Sequence, residues 1–129
     1  MRKAMKALGI AAAILLTGCV ATMTPPMDRR ITVAPDLGMA VWVTDVRLTK
    51  AQSMHYTFQA NVVNNTSGVV RMEYRVVWLD ANGSEIPSAV STWQPMSAAS
   101  RDIVGLTSTA PSPEAVDFRF YVQAARPGN

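Results

Sequence analysis

Residues 70–83 carry the clearest secondary-structure signal of the chain and read VRMEYRVVWLDANG. Apolar and polar side chains alternate along the first nine of them, which predicts a strand with one buried and one polar face. The apolar face consists of Met72, Tyr74, Val76 and Trp78. Asn82-Gly83 is typical of a tight hairpin turn, and Asp80 is predicted to start that turn by accepting a backbone hydrogen bond.

Shorter segments of the same kind surround this strand and are separated by turn residues. The predicted strands are 40–49, 55–64, 84–86, 91–94, 101–106 and 115–122, with a short edge strand at 31–33. No segment after residue 38 has a sustained helical period. The sequence therefore predicts an all-β domain at 39–129, an Ig-like or fibronectin-like antiparallel β-sandwich without the cysteine pair of antibody domains.

The predicted core of this sandwich is the set of apolar strand faces. In the first long strand Val41 and Val43 share the polar face and disturb the alternation. The core is predicted to contain Trp42, Val46, Leu48, Tyr56, Phe58, Val62, Met72, Tyr74, Val76, Trp78, Phe118 and Phe120.

The first 18 residues have the features of a secretory signal. A basic start, Arg2, Lys3 and Lys6, precedes the ten-residue apolar run ALGIAAAILL at 7–16. A run of that length fits a signal peptide and is too short to span a bilayer as a helix. We therefore predict that residues 1–18 form a signal peptide.

The residues after the apolar run, Leu16-Thr17-Gly18-Cys19, resemble the lipobox of bacterial lipoproteins. This resemblance implies that Leu16, Thr17 and Gly18 are read by the signal peptidase and that the thiol of Cys19 carries the lipid. Two or more acyl chains give a stable membrane anchor. Residues 19–38, rich in proline, are predicted to form a flexible tether.

The resemblance to lipoproteins also bears on where the protein is held. Val20 and Ala21 follow the cysteine, whereas an Asp there retains lipoproteins of enteric-type bacteria in the inner membrane. For a Gram-negative host this implies a lipid anchor in the outer membrane, on its periplasmic face.

Charge and cysteine content exclude several classes of function. The chain has 12 Lys+Arg and 9 Asp+Glu, but three of the basic residues precede the predicted cut, which leaves 9 against 9. A neutral mature chain without a basic run is not expected to bind nucleic acid. A single cysteine excludes both an internal disulfide and a thiolate metal site.

The sequence also lacks the residue patterns of enzymes. His55 is the only histidine and lies on the polar face of a predicted strand, with no glycine-framed serine elsewhere in the chain. The carboxylates are scattered, and there is no glycine-rich phosphate loop. We therefore expect no enzymatic activity, no metal and no cofactor.

Two pairs of segments resemble the YcfL-like family of small Gram-negative lipoproteins. They are Asn61–Thr66 followed by Glu73–Ile86, and Trp93–Met96 leading to Asp117–Val122. In that family a "YR-hydrophobic-W-D-x-x-G" strand and turn lies in mid-domain. The family implies a lipid-anchored Ig-like domain of unknown function. Its members are often encoded beside a lipoprotein that activates peptidoglycan synthases, so the resemblance implies a setting in cell-wall synthesis.

Trp93, Pro95 and Met96 form an apolar cluster that the strand pattern does not place in the core. Two interpretations stay open, an interaction surface or packing against the end of the sandwich. The first hypothesis is a non-enzymatic accessory module that binds an envelope protein, with strand addition at a free sheet edge as one mode. The second is a binding protein for a small ligand such as a glycan or lipid. The third, a hydrolase using His55, has the least support.

Overall fold

The computed structural model describes residues 28–126, and the predicted signal peptide, lipobox and Cys19 lie outside this range. Within it the chain forms eight strands and two short 3₁₀ turns at Pro35–Leu37 and Ala89–Ser91. The strands are β1 (Ile31–Val33), β2 (Val41–Lys50), β3 (Tyr56–Asn64), β4 (Val70–Leu79), β5 (Glu85–Ile86), β6 (Gln94–Ala98), β7 (Ile103–Thr109) and β8 (Asp117–Ala124).

The strands form two sheets that pack face to face, which confirms the predicted β-sandwich. The front sheet has the order β1-β8-β4, with β5 and β6 both paired to the other side of β4, and the back sheet has the order β2-β3-β7. All pairs are antiparallel except β1 with β8. This pairing matches the A-B-E and C-F strands of Ig-like domains, with β1 at the edge where strand G would lie.

Aromatic side chains from both sheets fill the centre of the core. The Phe58 ring of β3 lies 4.5 Å from that of Phe118 and 5.1 Å from that of Phe120, both on β8. Trp78 on β4 is fully buried beside Phe118. Of the predicted core, Phe58, Val62, Met72, Val76, Trp78, Phe118 and Phe120 are buried, and Val46, Leu48, Tyr56 and Tyr74 pack against them.

Trp42 is the predicted core residue that the structure places elsewhere. Val41 is 2% exposed and Val43 packs against the core, so Trp42 between them lies on the outer face of the back sheet. A β-bulge between Thr44 and Arg47 adds one residue to β2, with Asp45 at a φ of 54°. Because side chains alternate with a period of two, one extra residue exchanges the faces, and the later Val46 and Leu48 return to the core.

The folded domain begins near residue 31, earlier than the predicted boundary at residue 39. Ile31–Val33 pairs with β8, and the N–H of Ala34 donates to the Val122 carbonyl at 2.8 Å. Leu37 is 7% exposed and belongs to the core. The prolines of residues 19–38 predict a tether, but Pro35, the one proline among residues 31–38, lies in the first turn of a 3₁₀ helix, where no N–H is required.

Three predicted strands are displaced along the sequence, and the one predicted at 115–122 runs from Asp117 to Ala124. The strand predicted at 91–94 begins at Gln94, because Ser88 and Ser91 cap each other around the 3₁₀ turn that precedes it. The strand predicted at 101–106 begins at Ile103, because Arg101 has a φ of 60° and belongs to a turn. The turn predicted at Asp80 is confirmed, since its Oδ1 accepts the N–H groups of Asn82 and Ser84 at 2.9 Å each.

Met54, in the turn between β2 and β3, has a backbone conformation that is strained for any residue other than glycine. Its φ is 70° and its side chain is 54% exposed, so little packing offsets that strain. We expect Met54→Gly to raise the free energy of unfolding by about 1 kcal/mol in urea denaturation. Met39→Gly is the control, because Met39 is also exposed but has no positive φ, and an equal gain there would contradict this explanation.

Candidate interaction surface

The structure separates the three residues of the predicted surface. Met96 is paired with the buried Met72 and packs against the core. Pro95, its neighbour on β6, points the other way and is exposed, and Trp93 is half-buried just before the strand. Since successive strand residues face opposite sides, only Trp93 and Pro95 contribute to the outer face of the front sheet.

Trp93 is part of a cluster that the sequence analysis did not identify. The guanidinium carbon of Arg75 lies 5.7 Å from the centre of the Trp93 ring and 5.2 Å from the centre of the Tyr121 ring. These distances are within the range of cation–π attraction. We call Arg75, Trp93 and Tyr121 the arginine–aromatic cluster.

Strand register brings the members of this cluster together. Arg75 lies on β4 directly opposite Tyr121 on β8. On the other side of β4, Tyr74 pairs with Gln94, so the chain entering β6 places Trp93 next to Arg75. The Nε atom of Arg75 is buried and has no hydrogen-bond partner among the described residues. A half-buried cation with a free donor therefore lies between two aromatic rings.

A carboxylate that is already paired, that of Glu73, lies beside the cluster. Glu73, two residues before Arg75 on β4, is 5% exposed. Its Oε1 accepts a hydrogen bond from Gln123 Nε2 at 2.5 Å and forms an ion pair with Arg126 Nε at 2.9 Å. These partners satisfy the buried charge of Glu73 from outside the cluster.

The other side of the front face carries a network of paired charges near the start of β8. Arg30 contacts Asp28 at 2.9 Å and Asp117 at 3.7 Å, and Arg119 contacts Asp117 at 3.0 Å. The hydrogen bond from Arg30 is the main cause that lowers the pKa of Asp28. For Asp117 burial is the largest effect and raises the pKa, but hydrogen bonds from Arg119 and from the Phe118 N–H outweigh it and lower the pKa.

These shifts predict an acid-dependent loss of stability. Because the two pKa values are lowered in the folded state, the stabilisation is fully present above about pH 4 and is lost as the pH falls through the folded-state values. We expect less than about 1 kcal/mol, since the groups are partly exposed. Urea unfolding at pH 7 and pH 2.5 should show a smaller acid loss for Arg30→Gln than for wild type.

The matched control for this prediction is Arg29→Gln. Arg29 is the exposed neighbour of Arg30 and makes no ion pair within the described part of the chain. Equal acid sensitivity of Arg30→Gln and Arg29→Gln would show that the network does not contribute.

His55 has a structural contact and lies apart from the cluster. It is half-buried, with its Nδ1 3.0 Å from the carbonyl oxygen of Ala110, next to the β3–β7 pairing. Within residues 28–126 no three His, Cys, Asp or Glu side chains come together in a way that would hold a metal ion. The same range contains no helix with the length and apolar character needed to cross a membrane.

The outer face of the back sheet carries a second surface feature, a shallow polar depression of about 410 Å³. At its bulge end the Asn61 amide donates to Asp45 Oδ2 at 3.0 Å. A Cβ on Gly105 would lie 3.6 Å from Asn61 Oδ1, so the absence of a side chain at Gly105 leaves space in the depression next to Asn61. The lining residues are Asp45, Arg47, Gln59, Ala60, Asn61, Gly105, Leu106 and Thr107.

The back sheet ends in a free edge at β7. This strand pairs with β3 over seven residues without a register shift and contains no charged residue or proline. The opposite edge, β2, has a bulge and charged residues, which discourage pairing with another strand. Within residues 28–126, β7 is therefore the edge that best fits the predicted strand addition.

A family model described as "Protein of unknown function (DUF1425)" matches residues 29–124. Campylobacter jejuni cj0090 has a similar crystal structure, with a TM-score of 0.64 and 19% identity over 76% of this chain and 100% of that one. A DUF1425 family member from Shewanella sp. pv-4 is also similar, with a TM-score of 0.60 and 20% identity over 68% of this chain and 81% of that one. No curated protein sequence matches this chain. At these identities the two structures support the fold alone.

Proposed function

Since this chain belongs to the DUF1425 family of proteins of unknown function, we propose that it is a lipid-anchored envelope protein whose sandwich is a non-enzymatic interaction module. The partner is an envelope protein that meets the front sheet in the periplasm. Cell-wall synthesis or envelope assembly is the setting, which the resemblance to the YcfL-like lipoproteins supports.

The observation that carries this proposal is the arginine–aromatic cluster. Trp, Tyr and Arg are the residue types most enriched among the hot spots of protein interfaces. Here one of each lies within contact distance on the face of a sheet, and Pro95 adds exposed apolar surface beside them. Rigid aromatic rings lose little conformational entropy on binding, which suits an anchor for a partner.

The predicted lipid anchor supplies the membrane side of the proposal. Cleavage after Gly18 would leave Cys19 as the lipid-bearing first residue of the mature chain. Residues 19–30 then separate the lipid from β1, and a chain of that length spans at most about 40 Å. The module would therefore act close to the membrane surface.

Cys19→Ser is expected to abolish incorporation of labelled fatty acid and to block removal of residues 1–18. The reason is that the thiol is the attachment atom for the diacylglyceryl group. Thr17→Ser is the control, because it keeps a small residue before the cysteine. Incorporation of labelled fatty acid that persists in Cys19→Ser would contradict lipid anchoring at this residue.

Affinity capture from envelope extract tests the interaction module. The bait is the full mature chain with Cys19→Ser, and three forms of it are compared. The first has no further change and is called wild type here, the second carries Trp93→Ala, and the third carries Trp42→Ala as the matched control. Trp42 is also a half-buried tryptophan on an outer face, but it lies on the back sheet. We expect one stoichiometric protein with wild type and Trp42→Ala and its loss with Trp93→Ala. No capture by wild type, or equal capture by Trp93→Ala, would contradict the proposal.

The depression on the back sheet favours a glycan as the alternative ligand. Its volume lies in the range of small-molecule sites, and its walls are mainly hydrogen-bonding side chains rather than the apolar lining that a lipid requires. Calorimetric titration with soluble peptidoglycan fragments tests it. Binding that Asn61→Ala removes would support this function, and no heat of binding would rule it out for these fragments.

A further inference from the structure

We propose that the arginine–aromatic cluster binds a single carboxylate, presented by an acidic segment of the partner protein, with Arg75 as its ligand. This inference rests on the proposed function of the front sheet as an interaction surface. Trp93 and Tyr121 form the walls of the site, and the guanidinium of Arg75 forms its polar floor.

The charges of the front face leave Arg75 without a counter-ion. Arg119 is paired with Asp117 at 3.0 Å, and Arg126 is paired with Glu73 at 2.9 Å. Among residues 28–126, no carboxylate lies within ion-pair distance of the Arg75 guanidinium. The cluster therefore holds one positive charge that the described part of the chain does not compensate.

Burial strengthens the attraction between this charge and an anion, compared with a charge on an open surface. The buried Nε of Arg75 has lost contact with water and has gained no acceptor from the described residues. A buried donor without a partner is costly, and a carboxylate that draws the guanidinium outward from between the rings relieves that cost. The two flanking rings also lower the local dielectric, which strengthens a charge-assisted hydrogen bond.

The chemistry of the site favours a carboxylate over a phosphate. A carboxylate carries one negative charge and accepts two parallel hydrogen bonds from a planar guanidinium. A phosphate monoester carries about −1.5 to −2 near neutral pH and needs more positive charge than one arginine supplies. The nearby Arg119 and Arg126 are already paired, and Arg71, which has no ion pair within residues 28–126, lies four residues away along β4, so the single free charge of the cluster matches Asp or Glu.

NMR titration of the full mature chain with Cys19→Ser tests this proposal. The observed signal is the Nε–H resonance of Arg75, and the probes are the blocked tripeptides Ac-Gly-Glu-Gly-NH₂ and Ac-Gly-Gln-Gly-NH₂, which differ only in the carboxylate. We expect a saturable shift with the glutamate peptide, with a Kd on the order of 10 mM for one charged contact. The glutamine peptide is expected to bind at least several-fold more weakly.

Arg71 provides the matched control for the variants. It lies on the same face of β4 but is exposed, and it makes no ion pair with the other described residues. Arg71→Lys should leave the glutamate-peptide shift of the Arg75 resonance unchanged. In Arg75→Lys the backbone shifts at Trp93 and Tyr121 on peptide addition should be lost, because an ammonium does not reproduce the planar fork.

Two results would overturn the carboxylate site. One is equal or absent response of the Arg75 Nε–H to the two peptides at several times the expected Kd. The other is a larger response to inorganic phosphate than to the glutamate peptide. Either result, together with partner capture that still depends on Trp93, would reject the carboxylate while leaving the interaction module intact. Loss of that capture dependence would reject the module itself.

Discussion

Phe58→Ala is expected to lower the free energy of unfolding by about 3–5 kcal/mol. Phe58 has no exposed surface, and its ring contacts Phe118 at 4.5 Å and Phe120 at 5.1 Å between centroids. Because Phe58 lies on the back sheet and the other two rings lie on the front sheet, its removal leaves a cavity where the sheets meet. Such a cavity closes only in part, since both sheets are held by their own hydrogen bonds.

Urea denaturation of the full mature chain measures this loss. If Phe58→Ala does not fold, Phe58→Leu should still fold, with a smaller decrease of about 1–2 kcal/mol, because it leaves a smaller cavity. Tyr121→Ala is the control, an aromatic truncation on the outer face of the front sheet. A loss for Phe58→Ala no larger than that of Tyr121→Ala would show that this ring contact does not hold the sheets together.

Asn64→Ala is expected to cost about 3 kcal/mol, because one buried side chain serves several backbone groups. Asn64 is 1% exposed. Its Nδ2 has two hydrogens and lies within hydrogen-bond distance of three carbonyl oxygens, those of Gly68 at 2.8 Å, Ala98 at 3.1 Å and Ala99 at 2.9 Å, so one hydrogen is shared between two acceptors. Its Oδ1 accepts the N–H of Thr66 at 2.8 Å. The hydrogen bonds of this amide connect the end of β3 in the back sheet to the end of β6 in the front sheet.

Asn61→Ala is the matched control for this prediction. Asn61 lies on the same strand, three residues away, and its amide donates to Asp45 alone on the outer face. Thermal and urea unfolding should show a change within about 0.5 kcal/mol for Asn61→Ala. Asn64→Asp should also destabilise, because a carboxylate cannot donate to the three carbonyls and would bury a charge. If Asn64→Ala and Asn61→Ala behaved alike, the proposed connection between the two sheets would be contradicted.

The alternating segments of the sequence were sufficient to predict the sandwich and most of its core. In β3, β4 and β8 the hydrophobic pattern alone identifies the buried face, because a strand must put alternate residues on opposite sides. The Asp80 turn was also predictable, since its hydrogen bonds involve residues within four positions of one another. These features depend on local sequence and on burial, and both are visible in the residue order.

The β2 strand shows where this reasoning ends. Its alternation pointed Trp42 inwards, but the bulge at Asp45 exchanges the faces of the strand. The apolar Val41 and Val43 on the predicted polar face are the signal of that bulge in the sequence. A bulge is defined by the pairing with the partner strand, because two residues of one strand lie opposite one residue of the other. The sequence of β2 alone therefore does not locate it.

What the sequence determined by itself was the class of the fold, the turn at Asp80 and most of the inward-facing residues, because periodicity and turn chemistry are local properties. The prediction of a lipid anchor at Cys19 also comes from sequence and awaits its own test. The tertiary structure decided that Met96 packs against the core and that Arg75, Trp93 and Tyr121 meet. Their meeting depends on the register of three strands that are far apart in the chain, and register follows from the packing of the whole sandwich.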